Sequence, residues 1–120
     1  MKKILIVDDT RHILEELKDI LEMENFEVIT AINGKTGLDS IESGNPDLII
    51  TDIHMPGISG LELLKKVKST DATKHIPVIV LTANADSENM KKAIQSNADK
   101  YLKKPCASGV LIEAINRLLP

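Results

Sequence analysis

The chain has 120 residues, 42% hydrophobic and 28% charged, with a formal net charge of −3, which fits one globular domain over residues 1–120 and excludes intrinsic disorder. The acidic excess leaves no basic stripe to displace counterions, and Phe26 and Tyr101 are the only aromatics, so direct nucleic-acid binding is not expected. Cys106 is the only cysteine, which rules out an intramolecular disulfide and a cysteine-rich zinc site and leaves a small, inert side chain. Lys2 and Lys3 lead into Ile4-Leu5-Ile6-Val7 and then two aspartates, unlike a signal peptide. Ile76 to Leu81 is the longest apolar stretch, far below the ~20 residues of a membrane helix. These features predict a cytoplasmic protein with no membrane partner.

In chain order, short apolar runs alternate with longer amphipathic ones. Ile4 to Val7 is branch-rich and ends at Asp8 and Asp9, the pattern of a strand buried on both faces. Ile13, Leu14, Leu17, Ile20 and Leu21 then recur at the spacing of one helical face. Phe26 to Thr30 predicts a strand, Asn33-Gly34 a turn, and Leu38 and Ile41 a helix that stops at Gly44. Leu48 to Ile50 is the third strand, running into Thr51 and Asp52, and Met55-Pro56-Gly57 must be a loop. Leu61, Leu64 and Val67 give the next helix a buried stripe. Val78 to Leu81 is a strand stopping at Thr82, and Met90, Ala93 and Ile94 share one side of a fourth helix. Ala98 to Leu102 predicts a fifth strand, and Val110, Leu111, Ala114, Ile115 and Leu118 line a fifth helix.

Strict strand–helix alternation of this kind predicts an α/β fold, a doubly wound parallel sheet with helices on both faces. In such sheets the binding crevice lies beyond the carboxyl ends of the strands. The residues there are Asp8 and Asp9, Asp52, Thr82 and Lys104. Neighbouring strands are ~4.8 Å apart, so these carboxylates repel unless a cation neutralises them, and an oxygen-rich, water-accessible site suits Mg²⁺. Taken singly, Asp9 or Thr10 could merely cap the first helix and Asp52 a turn. The convergence of all five residues is what points to chemistry. Gly34-Lys35-Thr36 imitates the end of a phosphate-binding loop, but the glycine required five residues earlier is Ile29. Flavin binding is disfavoured because Asp8 and Asp9 would repel its phosphate.

The acidic pair Asp8-Asp9, the segment Asp52-Ile53-His54-Met55-Pro56-Gly57 with Gly60 following, Thr82-Ala83 and Lys104-Pro105 together resemble the receiver domains of two-component response regulators. The resemblance runs from Lys3 to about Leu119. It implies a flavodoxin-like (βα)5 sandwich with strand order 2-1-3-4-5. It further implies that Asp52 is the phosphoacceptor for a sensor histidine kinase or phosphotransfer protein. Mg²⁺, or Mn²⁺ in its place, would be held by Asp9, Asp52 and the His54 backbone carbonyl, with Asp8 acting through water. Lys104 and Thr82 would contact the phosphoryl oxygens, and the Lys104–Pro105 bond would be cis. Thr82 and Tyr101 would form the switch, Tyr101 rotating inward unless it is simply a half-buried strand aromatic.

The output partner would dock on the face of the fourth helix, fifth strand and fifth helix, with the domain a monomer or a weak phosphorylation-dependent dimer. His54 departs from the small residue many relatives carry there. With Asn84 it either modulates phosphoryl lifetime or lies exposed at the rim. His12 and His75 have no partner spacing and are expected to be solvated. Three other readings remain: a Mg²⁺-dependent aspartyl-phosphate phosphatase or phosphotransferase, a degenerate scaffold, and a receiver cut from a longer regulator or hybrid kinase. The phosphatase reading would need a second acid where His54 stands.

Overall fold

Buried β-branched and leucine runs form the centre of a sheet whose order is β2-β1-β3-β4-β5, every neighbouring pair parallel. The computed structural model describes residues 1–83 and 87–119. Its elements are β1 (Lys3–Val7), α1 (Arg11–Met23), β2 (Glu27–Ala31), α2 (Gly34–Gly44), β3 (Leu48–Thr51), α3 (Gly60–Ser69), β4 (Val78–Thr82), α4 (Ser87–Gln95), β5 (Lys100–Lys103) and α5 (Ser108–Leu118). Among the described residues, no helix is long and apolar enough to cross a membrane.

Alternation along each strand divides the core into two layers. Leu5, Val7, Ile49, Val78 and Val80 meet Ile41 of α2, Leu63, Leu64 and Val67 of α3, and Ala93 of α4. Ile4, Ile6, Leu48, Ile50, Ile79 and Leu81 meet Leu14 and Leu21 of α1 and Leu111, Ala114 and Ile115 of α5. The central strands β3 and β4 are buried throughout, and β1 nearly so. The edge strands β2 and β5 are half exposed.

Helix ends follow side-chain chemistry. Asn33 caps α2 by accepting from the Thr36 N–H at 2.8 Å, and Ser59 and Glu62 form a reciprocal capping box on α3. Three asparagines, Asn25, Asn45 and Asn97, take positive φ just after α1, α2 and α4, the left-handed conformation that ends a helix and that asparagine tolerates.

The structure departs from the periodicity at both edge strands and on the outer faces of α4 and α5. β2 begins at Glu27, one residue beyond Phe26, and β5 is Lys100–Lys103 where the apolar pattern predicts Ala98–Leu102. α2 does end at Gly44, with Asn45 taking the left-handed conformation just after it. The stripe on α4 is not buried as a unit: Ala93 is enclosed, but Met90 is exposed and Ile94 is 61% exposed, as is half of Val110 on α5. The reason is position. α4 packs on α3 and on β5 at the edge of the sheet, where the sheet surface beneath it is too narrow to cover a whole helical face.

Candidate functional site

Register places the site. Val7 of β1 pairs with Thr51 of β3, and the Asp52 N–H donates to the Val7 carbonyl at 3.0 Å, so Asp8 and Asp52 leave adjacent strands side by side. One strand further, Thr82 ends β4 opposite Lys103 of β5, and the Lys104 N–H donates to the Thr82 carbonyl at 2.9 Å. Four strand ends thus bring Asp8, Asp9, Asp52, Thr82 and Lys104 to one edge of the sheet, as the alternation predicts.

One carboxylate oxygen from each of Asp8, Asp9 and Asp52 lies within 4.8 Å of the others. At such separations each like-charge pair costs about 3–4 kcal/mol at an effective dielectric near 20, so the group demands counter-charge. Lys104 supplies part of it. Its Nζ donates to Asp8 Oδ2 at 2.5 Å and to Asp52 Oδ2 at 3.1 Å. Burial by itself would lower the Lys104 pKa, but the hydrogen bonds and charges of Asp8 and Asp52 outweigh it and hold the ammonium above the ordinary lysine value. The ammonium, which the resemblance assigns to phosphoryl oxygens, here bridges two of the acids.

Three formal negative charges against one ammonium still leave an excess of two. The donor set fits a hard divalent cation: three carboxylates, of which Asp8 is buried, Asp52 half-buried and Asp9 exposed, so that solvent can complete the shell. The Oδ1 atoms of Asp8 and Asp52 are engaged locally. Asp8 Oδ1 accepts from the Thr10 N–H at 2.9 Å and Asp52 Oδ1 from the Ile53 N–H at 2.6 Å. The capping role open to Thr10 is not filled by its side chain, since Thr10 stands at the N-cap of α1 with no side-chain cap bond.

Thr82 is buried, and Tyr101 is half-buried and packs against the core layer beneath α2, α3 and α4. The Lys104–Pro105 bond is cis. His54 is exposed, its Nε2 lying 3.4 Å from the Asn89 side-chain nitrogen of α4. Asn84 lies outside the described residues. His12 and His75 are exposed, and Gly34-Lys35-Thr36 simply opens α2 under its Asn33 cap. Asn89 has no signal in the sequence as a neighbour of His54, because only the packing of α4 brings it there.

Known proteins agree with this geometry. The profile described as the response regulator receiver domain matches residues 4–116. The chemotaxis protein CheY of Pseudomonas aeruginosa is 37% identical over 97% of this chain and 94% of its own length. The polar-differentiation response regulator DivK of Brucella anthropi is 36% identical over 98% of this chain and 96% of its own. A crystal structure of a response regulator receiver domain protein from Clostridium thermocellum superposes with a TM-score of 0.92 at 36% identity, covering 99% of this chain and 94% of that one. With its flavodoxin-like order of strands and its acidic strand-end cluster, the chain belongs to the response regulator receiver domains of two-component systems.

Proposed function

We propose that this receiver takes a phosphoryl group onto Asp52 from a phosphohistidine of a sensor histidine kinase or phosphotransfer protein, and so changes its affinity for an output protein. The observation that carries the reading is the meeting of Asp8, Asp9, Asp52 and Lys104 at one sheet edge. An oxygen of the Asp52 carboxylate attacks phosphorus, the P–N bond breaks, and the imidazole leaves with the electron pair. Asp9, Asp52 and the backbone carbonyl of His54 would hold Mg²⁺ or Mn²⁺, with Asp8 acting through water. When bound, the ion neutralises charge on the phosphoryl oxygens. Lys104 exchanges its contact with Asp52 for a phosphoryl oxygen, and the Thr82 hydroxyl donates to another.

Thr82 reaches that oxygen by moving toward Asp52, and Tyr101 takes the space vacated beside β4. The face of α4, β5 and α5 then changes shape for its partner, and the exposed Met90, Ile94 and Val110 support that assignment. His54 and Asn84 tune the lifetime of the aspartyl phosphate. The whole chain acts as one cytoplasmic domain that modifies itself and turns over no separate substrate. Incubation with Mg²⁺ and a small phosphodonor such as acetyl phosphate tests the reading. A gain of one phosphoryl group mapped to Asp52 is expected. Labelling at another residue overturns the assignment, and rapid multiple turnovers would make the protein a phosphatase.

A further inference from the structure

Gly60, the first residue of α3, has no evident backbone need to be glycine. It stands in a regular first turn behind the capping Ser59, and its φ lies outside the left-handed region that favours glycine. Its surroundings explain it instead. A β-carbon on Gly60 would overlap the carbonyl oxygen of Asp52 outright and lie 2.7 Å from that carbonyl carbon and 2.9 Å from the Ile53 Cα. The Gly60 N–H donates to the Ile53 carbonyl at 2.9 Å. α3 therefore begins directly on the peptide of Asp52. The capping box between Ser59 and Glu62 holds that first turn in place, with Glu62 N donating to Ser59 Oγ at 3.2 Å and Ser59 N to Glu62 Oε1 at 3.3 Å.

We propose that Gly60 is a positioning residue for Asp52: its bare α-carbon lets the N-terminus of α3 seat against the Asp52–Ile53 backbone and so sets where the Asp52 carboxylate stands relative to Asp8, Asp9 and Lys104. This rests on the reading of Asp52 as metal ligand and phosphoacceptor. The opposing surface is backbone, which cannot rotate away as a side chain could, so a methyl group at position 60 moves either α3 or Asp52. Both partners are tied into the fold, α3 by Leu63, Leu64 and Val67 and the Asp52 segment by Ile53 and the bond of its N–H to Val7, so neither gives way alone and part of any displacement falls on Asp52. Its carboxylate sits 3.1 Å from Lys104 and within 4.8 Å of both other acids, and a site of that size has little tolerance for displacement. A misplacement of ~1 Å can cost about 100-fold in rate, and a lost supporting contact about 10–100-fold in metal affinity.

Other glycines of the chain serve as controls. A methyl group on Gly109 would meet nothing within 4 Å, whereas one on Gly44 would face only the Cδ1 of Ile29, at 2.8 Å, so Gly44→Ala crowds a side chain of β2 and not the Asp52 backbone. The experiment measures Mg²⁺ affinity by amide-shift titration, and labelling by acetyl phosphate, in wild type, Gly60→Ala, Gly44→Ala and Gly109→Ala. Gly60→Ala is expected to weaken Mg²⁺ binding by about tenfold or more and to slow labelling further. Gly44→Ala and Gly109→Ala should both keep the wild-type Mg²⁺ affinity. Folded Gly60→Ala with wild-type Mg²⁺ affinity overturns the proposal.

Should Gly60→Ala not fold, the double variant Ser59→Ala/Glu62→Gln releases the first turn of α3 without a clash. It is expected to weaken Mg²⁺ toward the low end of the roughly 10–100-fold that a lost supporting contact costs, and unchanged affinity there overturns the proposal equally. Wild-type protein that neither binds Mg²⁺ nor labels Asp52 would instead remove the underlying reading, and this inference with it.

Discussion

Two lysines at opposite ends of the sheet invite comparison. Lys68 of α3 and Lys104 after β5 are both mostly enclosed, with side chains 12% and 15% exposed. Lys68 donates to the Ile76 carbonyl at 2.8 Å, to the Lys74 carbonyl at 3.4 Å and to Asp99 Oδ2 at 2.9 Å, and that same oxygen accepts the Val78 N–H at 2.8 Å. There one ammonium meets one carboxylate and neutral carbonyls, so charge is balanced and the network ties the end of α3 to the starts of β4 and β5. Lys104 meets Asp8 and Asp52 with Asp9 alongside, so charge is left over. A buried lysine in a closed network is a strut, whereas one in an acid-rich network marks a place where cations and anions can exchange.

The largest expected contrast separates the acids of the two ends. Asp52→Ala should abolish phosphoryl incorporation while the circular dichroism spectrum and melting temperature stay close to wild type. Asp99→Ala should do the reverse, losing about 2 kcal/mol because the Val78 N–H and the Lys68 ammonium lose their shared acceptor, with labelling retained. Comparable labelling of both variants would erase the distinction.

Next in size are the lysines themselves. Lys104→Met leaves buried Asp8 without its counter-ion and should cost about 3 kcal/mol in metal-free urea melts. At one Mg²⁺ concentration, 100-fold over the wild-type dissociation constant, the wild type gains about 2.7 kcal/mol. The gain should be larger in Lys104→Met than in wild type, since the ion takes over the missing charge. Lys68→Met should show only the wild-type gain, and equal gains in both variants would mean that the acid cluster is not the ion's site.

A smaller effect is expected from Thr82→Ala. It should still accept phosphate yet lose most of a typical coupling of about 1–3 kcal/mol between site and surface. Amide shifts with a beryllofluoride mimic provide the check: the wild type should move at Tyr101 and along α4, β5 and α5, and the variant should not. Shifts confined to the acidic pocket in the wild type would defeat the switch. The smallest effect is alkaline. Because the folded Lys104 pKa lies above its unfolded value, its contribution is whole at neutral pH and is lost as pH rises through the raised value. Urea melts from neutral to strongly alkaline pH should therefore show the wild-type advantage over Lys104→Met shrinking only at the alkaline end, and a constant gap would contradict the pairing.

Strand ends and helix faces are legible in the residues because both obey local periods. Ile4 to Val7, Leu48 to Ile50 and Val78 to Leu81 declare buried strands, and parallel strands joined by helices must all end on the same edge. That is why Asp8, Asp9, Asp52, Thr82 and Lys104 can be grouped from the order of residues alone. Folding decided the rest, since it depends on distances between residues far apart in the chain. Lys104 meets Asp8 across 96 positions and Lys68 meets Asp99 across 31. No period records either pairing. The exposure of Ile94 and the collision awaiting a side chain at Gly60 likewise arise where one element is laid against another, and only close packing in three dimensions determines how much room is left there.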